Sequence, residues 1–173
     1  DHLGDAPSIA ARTGAKIVST PEVISVCESQ TLAEIASCPM NIGGSLNLPF
    51  GKVRMTFAQH SAGVAGGIAC GFVVYIGGRT VYYAGDTALF SDMQLIGRKD
   101  SIDYAVLPIG DNYTMGLEDA AMAAQWVNAG HVIPVHYNTW PVIKQEARHY
   151  KDVTEAMTRA RVHIMAPGDT MEL

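Results

Sequence analysis

The sequence has little of what marks several common classes of protein. Its 173 residues include only three cysteines, Cys27, Cys38 and Cys70, which form neither a disulfide framework nor the Cys-x-x-Cys spacing of a zinc site. No apolar run approaches the roughly 18 residues of a membrane-spanning helix, and the polar first residues do not resemble a signal peptide. The 12 basic residues are scattered in a chain of net charge -5, which disfavours nucleic acid as a partner. We therefore expect a cytoplasmic protein that binds neither membranes nor nucleic acid.

The composition is that of a folded domain. A hydrophobic content of 48% is enough for one globular domain over residues 1–173 with a sizeable core. The 17 glycines and 8 prolines predict many turns. The chain begins with Asp1 rather than Met and enters a helical pattern almost at once. We therefore expect it to be the downstream part of a longer product.

The apolar pattern predicts alternating strands and helices. Helices are predicted over residues 5–15, from Thr20 towards Ala36, over 117–127 and over 153–160, the last with Asp152 and Glu155 as a capping box. Strands are predicted over residues 16–18, 53–58, 69–76, 79–83, 104–109, 131–135 and 162–166, with Gly77-Gly78 as a hairpin turn. Hairpins in the first part and βα units in the second predict a layered α/β domain.

Polar side chains follow four of these apolar strands. The segments are Gln59-His60-Ser61, Gly85-Asp86-Thr87, Gly110-Asp111-Asn112 and His136-Tyr137-Asn138. Strand ends are where sheet proteins commonly build their sites. Taken singly, each residue has an ordinary alternative, since a histidine can be hydrogen-bonded at a strand end and an aspartate can form a turn or cap a helix.

Taken together with Asp1-His2, these residues predict a metal site. Aspartates and three histidines at loop positions, His2, His60 and His136, form a ligand set that suits Zn, Fe or Mn. Such a centre can leave one position open for water and lower the pKa of that water towards neutrality. The sequence therefore predicts a hydroxide nucleophile. Ser61 lacks a Gly-x-Ser-x-Gly context, so a serine nucleophile is not expected.

The order and wording of these segments resemble a known family. Asp1-His2-Leu3-Gly4-Asp5 resembles the end of the His-x-His-x-Asp-His signature of the metallo-β-lactamase fold superfamily. His60, the segment 83–87 and the segment 134–138 follow in the order of that superfamily. Residues 40–44, 90–93, 107–116 and 136–139 are more specific and resemble the UPF0173 metal-dependent hydrolases, which are relatives of the ascorbate-6-phosphate lactonases.

The resemblance implies an αββα sandwich with one or two metal ions at the edge between its sheets. One metal site would take the His-x-His pair with His60, and the other would take Asp1, His2 and His136, with Asp86 bridging. Asp1 would also be the catalytic proton shuttle. Near the pocket the resemblance places Asp111, Asn112, Tyr137 and Asn138, for each of which a structural role in loop hydrogen bonding is an open alternative.

This chain departs from the family pattern at its start. The His-x-His pair is absent because the sequence begins at the Asp of the motif, and so are the N-terminal strands that complete the first sheet. We therefore expect an N-terminally incomplete sandwich. Our preferred explanation for the missing motif is a further N-terminal segment of the protein that this sequence does not include. A sheet edge left exposed in this way makes a homo-oligomer plausible.

The implied function is metal-dependent hydrolysis by a metal-bound hydroxide of a small ester, lactone or phosphoester. Zn is the expected metal, with Mn or Fe as alternatives, and a small molecule is the expected substrate. The alternative is a catalytically silent family member that acts as a ligand-binding or structural subunit.

Five further residues are expected to lie outside this site. His131, His149 and His163 are interpreted as hydrogen-bonded or surface histidines. Trp126 and Trp140 could line a pocket, but packing in the core or at an interface is the commoner fate of tryptophan.

Overall fold

Within residues 2–173, which the computed structural model describes, the chain forms five α-helices and nine β-strands. The helices are α1 (Ala6–Thr13), α2 (Pro21–Ser29), α3 (Met93–Lys99), α4 (Leu117–Trp126) and α5 (Ala147–Met157). The strands are β1 (Ile17–Ser19), β2 (Ser37–Pro39), β3 (Ser45–Leu48), β4 (Gly51–Phe57), β5 (Cys70–Ile76), β6 (Arg79–Tyr83), β7 (Tyr104–Pro108), β8 (His131–Val135) and β9 (Arg161–Val162). None of the described helices has the length and hydropathy that crossing a bilayer requires.

Strand directions bring several strand ends to one edge. The larger sheet has the order β3-β4-β5-β6-β7-β8-β9. Because β5 is antiparallel to both β4 and β6, those two strands run the same way. β7 and β8 are parallel to β6 in turn. The carboxyl ends of β4, β6, β7 and β8 therefore meet at the same edge, and the loops that follow them are neighbours.

The predicted α/β fold class is confirmed, and its layers follow from which face of each strand is apolar. Val73 and Tyr82 lie on the face of the larger sheet that packs against α3, α4 and α5, and both are fully buried. On the opposite face Val74 and Val81 line an apolar cleft of about 440 Å³ together with Val18 of the small β1-β2 sheet. The helices α1 and α2 and strand β1 form a separate apolar cluster beyond it. The order of layers is helix, sheet, sheet, helix.

The first helix ends where the sequence predicts, but the second is shorter than predicted. Gly14 follows α1 in the left-handed conformation, with φ of 72°, and its N–H donates to Ala10 O. The predicted extension of α2 towards Ala36 is wrong, because the helix ends at Ser29. The hydroxyl of Ser29 donates to the carbonyl of Val26, a local bond that competes with further helix. The chain then turns back so that β2 pairs with β1.

The predicted start of the last helix is also wrong. α5 begins at Ala147, so Asp152 lies inside the helix and the capping box does not form. The carboxylate of Glu155 instead accepts a hydrogen bond from the backbone N–H of Val162 at 2.9 Å. This bond, followed by the nearby Lys151, lowers the pKa of Glu155. The carboxylate therefore joins α5 to β9 rather than capping its own helix.

A buried ion pair ties the end of α3 to the larger sheet. Arg54 on β4 and Asp100 just after α3 form a salt bridge in which their side chains are 9% and 3% exposed. The hydroxyl of Tyr75 donates to the second oxygen of the Asp100 carboxylate. Arg54 and Asp100 are among the few charged side chains that the described residues bury. The pair therefore links a helix to two strands inside the molecule.

Candidate metal centre

The polar residues that the sequence places after four strands lie in neighbouring loops. His60 follows β4, Asp86 follows β6, Asp111 follows β7 and His136 follows β8. His2 comes from the segment just before α1. The side chains of His60, Asp86 and His136 are half-buried, whereas His2 is exposed.

One carboxylate oxygen gathers three imidazoles. Oδ2 of Asp86 lies 3.1 Å from Nε2 of His2, 3.2 Å from Nε2 of His136 and 3.7 Å from Nε2 of His60. The ligand atoms of His2, Asp86 and His136 all lie within 4.8 Å of one another. The structure therefore brings together the described residues that the sequence marked as ligands, with His60 at the greatest distance from Asp86. Asp1, the predicted catalytic residue and further ligand, lies outside the described residues.

The backbone at this edge is strained in a way that holds the site. Among the described residues, the five left-handed non-glycine positions include His136 with φ of 55° and Asn138 with φ of 62°. Asp111 and Asn112 are also left-handed. Such conformations concentrate at functional sites because the surrounding structure must enforce them. A Cβ at Gly110 would lie 2.3 Å from the carbonyl oxygen of His136. The loop after β7 and the loop after β8 are therefore in direct contact.

The threonine of the Gly85-Asp86-Thr87 segment, to which the sequence assigned no role, joins two of the site loops. The hydroxyl of Thr87, which is fully buried, accepts a hydrogen bond from the N–H of Gln59 at 2.9 Å. The N–H of Ala88 donates to the carbonyl of Gln59 at 3.1 Å. These bonds fix the loop of His60 against the loop of Asp86. The only sequence signal for Thr87 is its place directly after Asp86. Its partner Gln59 lies 28 residues away in the chain.

The predicted pocket residues have different surroundings. Asp111 and Asn112 are exposed in a turn at the end of β7, where the N–H of Asp111 donates to the carbonyl of Met115. Tyr137 is half-buried and packs against the core, and burial raises the pKa of its hydroxyl. Asn138 is exposed, and its side-chain oxygen accepts a hydrogen bond from the N–H of Gln145 at 2.7 Å.

The free cysteines are not part of this cluster. Cys27 is buried, and Cys38 and Cys70 are half-buried. Burial raises the pKa of the Cys70 thiol above its ordinary value. None of the three cysteines belongs to the converging cluster of His2, Asp86 and His136, so the donors at this edge are imidazole nitrogens and carboxylate oxygens.

Two histidines that the sequence analysis placed outside the site pair with each other. Nδ1 of His131 lies 2.9 Å from Nε2 of His163. His131, which begins β8, also stacks on the ring of Tyr104, with ring centroids 4.7 Å apart. Because these residues sit at the opposite end of β8 from His136, the pair is structural, and the predicted hydrogen-bonded character of both histidines is confirmed.

This pair predicts that stability falls as the pH drops below about 6.5, the ordinary pKa of histidine. Burial lowers the pKa of His163, followed by the charges of His131, Arg161 and Lys151, against an opposing effect of Glu155. The folded chain therefore binds this proton more weakly than the unfolded chain, so protonation favours unfolding. Urea unfolding between about pH 7.5 and 5.5 measures the effect. We expect the free energy of unfolding of the wild type to fall, relative to that of a His163→Asn variant, as the pH is lowered from about 7.5 to 5.5. If the difference between the two free energies stayed constant over this range, the prediction would be wrong.

Comparisons with known proteins relate this geometry to a family. Residues 1–137 match the model of a beta-lactamase superfamily domain. A UPF0173 metal-dependent hydrolase of Natranaerobius thermophilus is 46% identical over 173 residues, which cover 100% of this chain and 77% of that relative. The structure of Igni18, a metallo hydrolase from the archaeon Ignicoccus hospitalis, is similar with a TM-score of 0.90 and 36% identity, over 98% of this chain and 73% of that one. The metallo-beta-lactamase fold protein YhfI of Bacillus subtilis has a TM-score of 0.76 at 14% identity, over 99% of this chain and 73% of that one, which shows the fold alone.

Proposed function

Since this chain belongs to the beta-lactamase superfamily and, within it, to the UPF0173 metal-dependent hydrolases, we propose that it hydrolyses a small ester, lactone or phosphoester. The metal ligands that we propose are His2, His60, Asp86 and His136. Asp1 is proposed as a further ligand and proton shuttle on the resemblance alone. Relatives of this similarity are named hydrolases, which disfavours the alternative of a catalytically silent subunit.

The observation that carries the proposal is the convergence of three imidazoles on the carboxylate of Asp86. Two ligand atoms of a tetrahedral zinc ion lie about 3.3 Å apart when the metal–ligand distances are about 2.0–2.1 Å. Oδ2 of Asp86 lies 3.1 and 3.2 Å from the nitrogens of His2 and His136. The donor spacing therefore fits a metal ion. The resemblance implies that Asp86 would also bridge to a position held by His60, whose Nε2 lies 3.7 Å from the same oxygen.

The donor set also guides the choice of metal. Imidazole and carboxylate ligands suit Zn, and Mn or Fe are alternatives with the same donors. A metal ion held there would lower the pKa of a bound water towards neutrality and so supply the nucleophile. Asp86 contributes negative charge that offsets the charge of the ion. Thr87 fixes the loop of His60 against the loop of Asp86, and Gly110 brings the loop after β7 against the backbone of His136.

A reconstitution experiment tests this function. The purified protein is treated with a chelator, and hydrolysis of phenyl acetate, δ-valerolactone and bis(4-nitrophenyl) phosphate is measured before and after Zn, Mn or Fe is restored. We expect the metal-free protein to lose at least about tenfold of its activity, because the metal supplies the nucleophile, and to regain it with one of the three ions. Undiminished hydrolysis by metal-free protein, or no hydrolysis of any of the three bond types by metal-loaded protein, would refute the proposal.

A further inference from the structure

The loop that follows His136 is held in a fixed conformation. The N–H of Asn138 donates to the carbonyl of Ile143 at 2.9 Å, and the N–H of Gln145 donates to the side chain of Asn138 at 2.7 Å. The side chain of Ile143 is fully buried, so this end of the loop is packed into the protein interior. Between these bonds the loop carries Trp140, whose carbonyl accepts the N–H of Ile143. The backbone that presents this tryptophan is therefore closed by its own hydrogen bonds.

Large apolar side chains are exposed beside the metal ligands. Trp140 is 43% exposed, Val142 is 53% exposed and Tyr113 is 56% exposed. The ring centroids of Tyr113 and Trp140 lie 6.5 Å apart. The ring of Trp140 stands edge-on to the imidazole of His136, with centroids 6.0 Å apart and an interplanar angle of 81°. We call Tyr113 and Trp140 the apolar wall, and its tryptophan ring lies against the proposed ligand His136.

Charge at this edge argues against an anionic substrate group. The loops at the edge comprise residues 58–69, 84–92, 109–116 and 136–146, and they contain one lysine, Lys144, and no arginine. Sites that bind phosphate usually provide arginine forks or several lysines. An uncharged apolar group meets no such requirement and gains free energy by covering exposed apolar side chains.

From these observations we infer that the apolar wall binds an aromatic group of an uncharged carboxylic ester, and that Trp140 determines this specificity. The inference rests on the proposed function, since it selects one substrate class among those proposed there. Trp140 also contacts His136, so a purely structural role through that imidazole is the competing explanation.

Ester pairs that differ only in a ring separate these explanations. Ethyl acetate carries no ring, whereas benzyl acetate and ethyl phenylacetate carry one on either side of the ester; hydrolysis is followed by proton release. We expect the wild type to prefer at least one ring-bearing ester by about tenfold in kcat/KM, because an aromatic contact adds to the buried apolar area. In Trp140→Ala we expect this preference to vanish through a higher KM, with kcat unchanged.

Control variants and metal content sharpen the result. Trp140→Phe should keep most of the preference, and Leu95→Ala, which removes a similarly exposed apolar side chain from α3, should keep all of it. The number of metal ions per chain should stay the same in Trp140→Ala, and its kcat/KM for ethyl acetate should fall far less than its kcat/KM for the ring-bearing esters. An equal loss on all three esters would show that Trp140 acts through His136 and would overturn the inference. If Trp140→Ala kept the wild-type preference for ring-bearing esters, the inference would also be overturned. This holds even if the variant changed its oligomeric state.

A binding measurement tests the inference even if ester hydrolysis fails. Trp126 and Trp140 give two indole N–H signals in NMR, which the Trp140→Phe variant assigns. We expect benzyl alcohol, added to metal-free protein, to shift the Trp140 signal, and ethanol at the same concentration not to shift it. Absence of both the shift and the kinetic preference would refute the apolar wall. Chelator-resistant hydrolysis with the shift present would refute only the proposed function.

Discussion

An Asp86→Asn variant is expected to lose metal binding and about a thousandfold of hydrolytic activity. The Asp86 carboxylate is the group that the nitrogens of His2, His60 and His136 surround. An amide keeps the shape of this side chain but removes its charge and its strength as a ligand. Several kcal/mol of charge stabilisation by a metal ion correspond to roughly a thousandfold in rate.

Metal per chain by elemental analysis and kcat/KM with a metal-saturated buffer measure this loss. The matched control is Asp152→Asn, which makes the same change at an exposed position inside α5 and should leave both quantities unaltered. His136→Ala should show the same kind of loss as Asp86→Asn. Its matched control is His149→Ala, at an exposed position of α5. Each variant should retain its circular dichroism spectrum, because Asp86 is half-buried and lies in a loop. Wild-type metal content and activity in Asp86→Asn would reject the proposed centre.

The elements that the sequence predicts well are those that local chemistry decides. The hairpin between β5 and β6 turns at Gly77 and Gly78, both with positive φ, as a two-residue turn requires. α4 was predicted from its apolar spacing and forms over Leu117–Trp126. Asn128, just beyond this helix, is left-handed with φ of 51°, a conformation that asparagine tolerates.

The elements that the sequence predicts poorly depend on partners far along the chain. β2 forms because it pairs with β1, a pairing that no pattern within residues 30–40 encodes. The spacing of Asp152 and Glu155 is that of a capping box, but the same spacing occurs within α5, whose earlier start is set by the burial of Tyr150 and Thr154. Tertiary packing rather than the capping-box spacing therefore determines where α5 begins.

The candidate site was predictable in its residues but not in its supports. Polar residues after parallel strands must meet at one edge, so His60, Asp86 and His136 could be grouped from the strand pattern. A Cβ at Gly85 would lie 3.0 Å from the carbonyl oxygen of Cys70, on β5, a close approach that the motif does not reveal. The exposure of Trp140 depends on how its loop closes, which spacing does not reveal.

An Asp100→Ala variant is expected to lower the free energy of unfolding by about 3–5 kcal/mol, because it leaves the guanidinium of Arg54 buried without a counter-charge. Arg54 Nε already has no hydrogen-bond partner among residues 2–173. The variant also removes the acceptor of the Tyr75 hydroxyl. A loss of this size in a chain of 173 residues lowers Tm by roughly 10 °C. Urea unfolding and thermal melts measure both values.

Two controls separate the buried charge from the loss of a contact. Arg54→Met combined with Asp100→Leu should recover most of the stability, because an apolar pair in place of a buried ion pair is often neutral or stabilising. Arg79→Ala breaks the exposed pair with Asp103, at 4.0 Å, and should cost less than about 1 kcal/mol. If Asp100→Ala cost no more than Arg79→Ala, the Arg54–Asp100 pair would not be what holds α3 to the sheet. Because Arg54 and Asp100 form no hydrogen bond or ion pair with a proposed ligand among residues 2–173, the metal content of Asp100→Ala should equal that of the wild type well below its Tm.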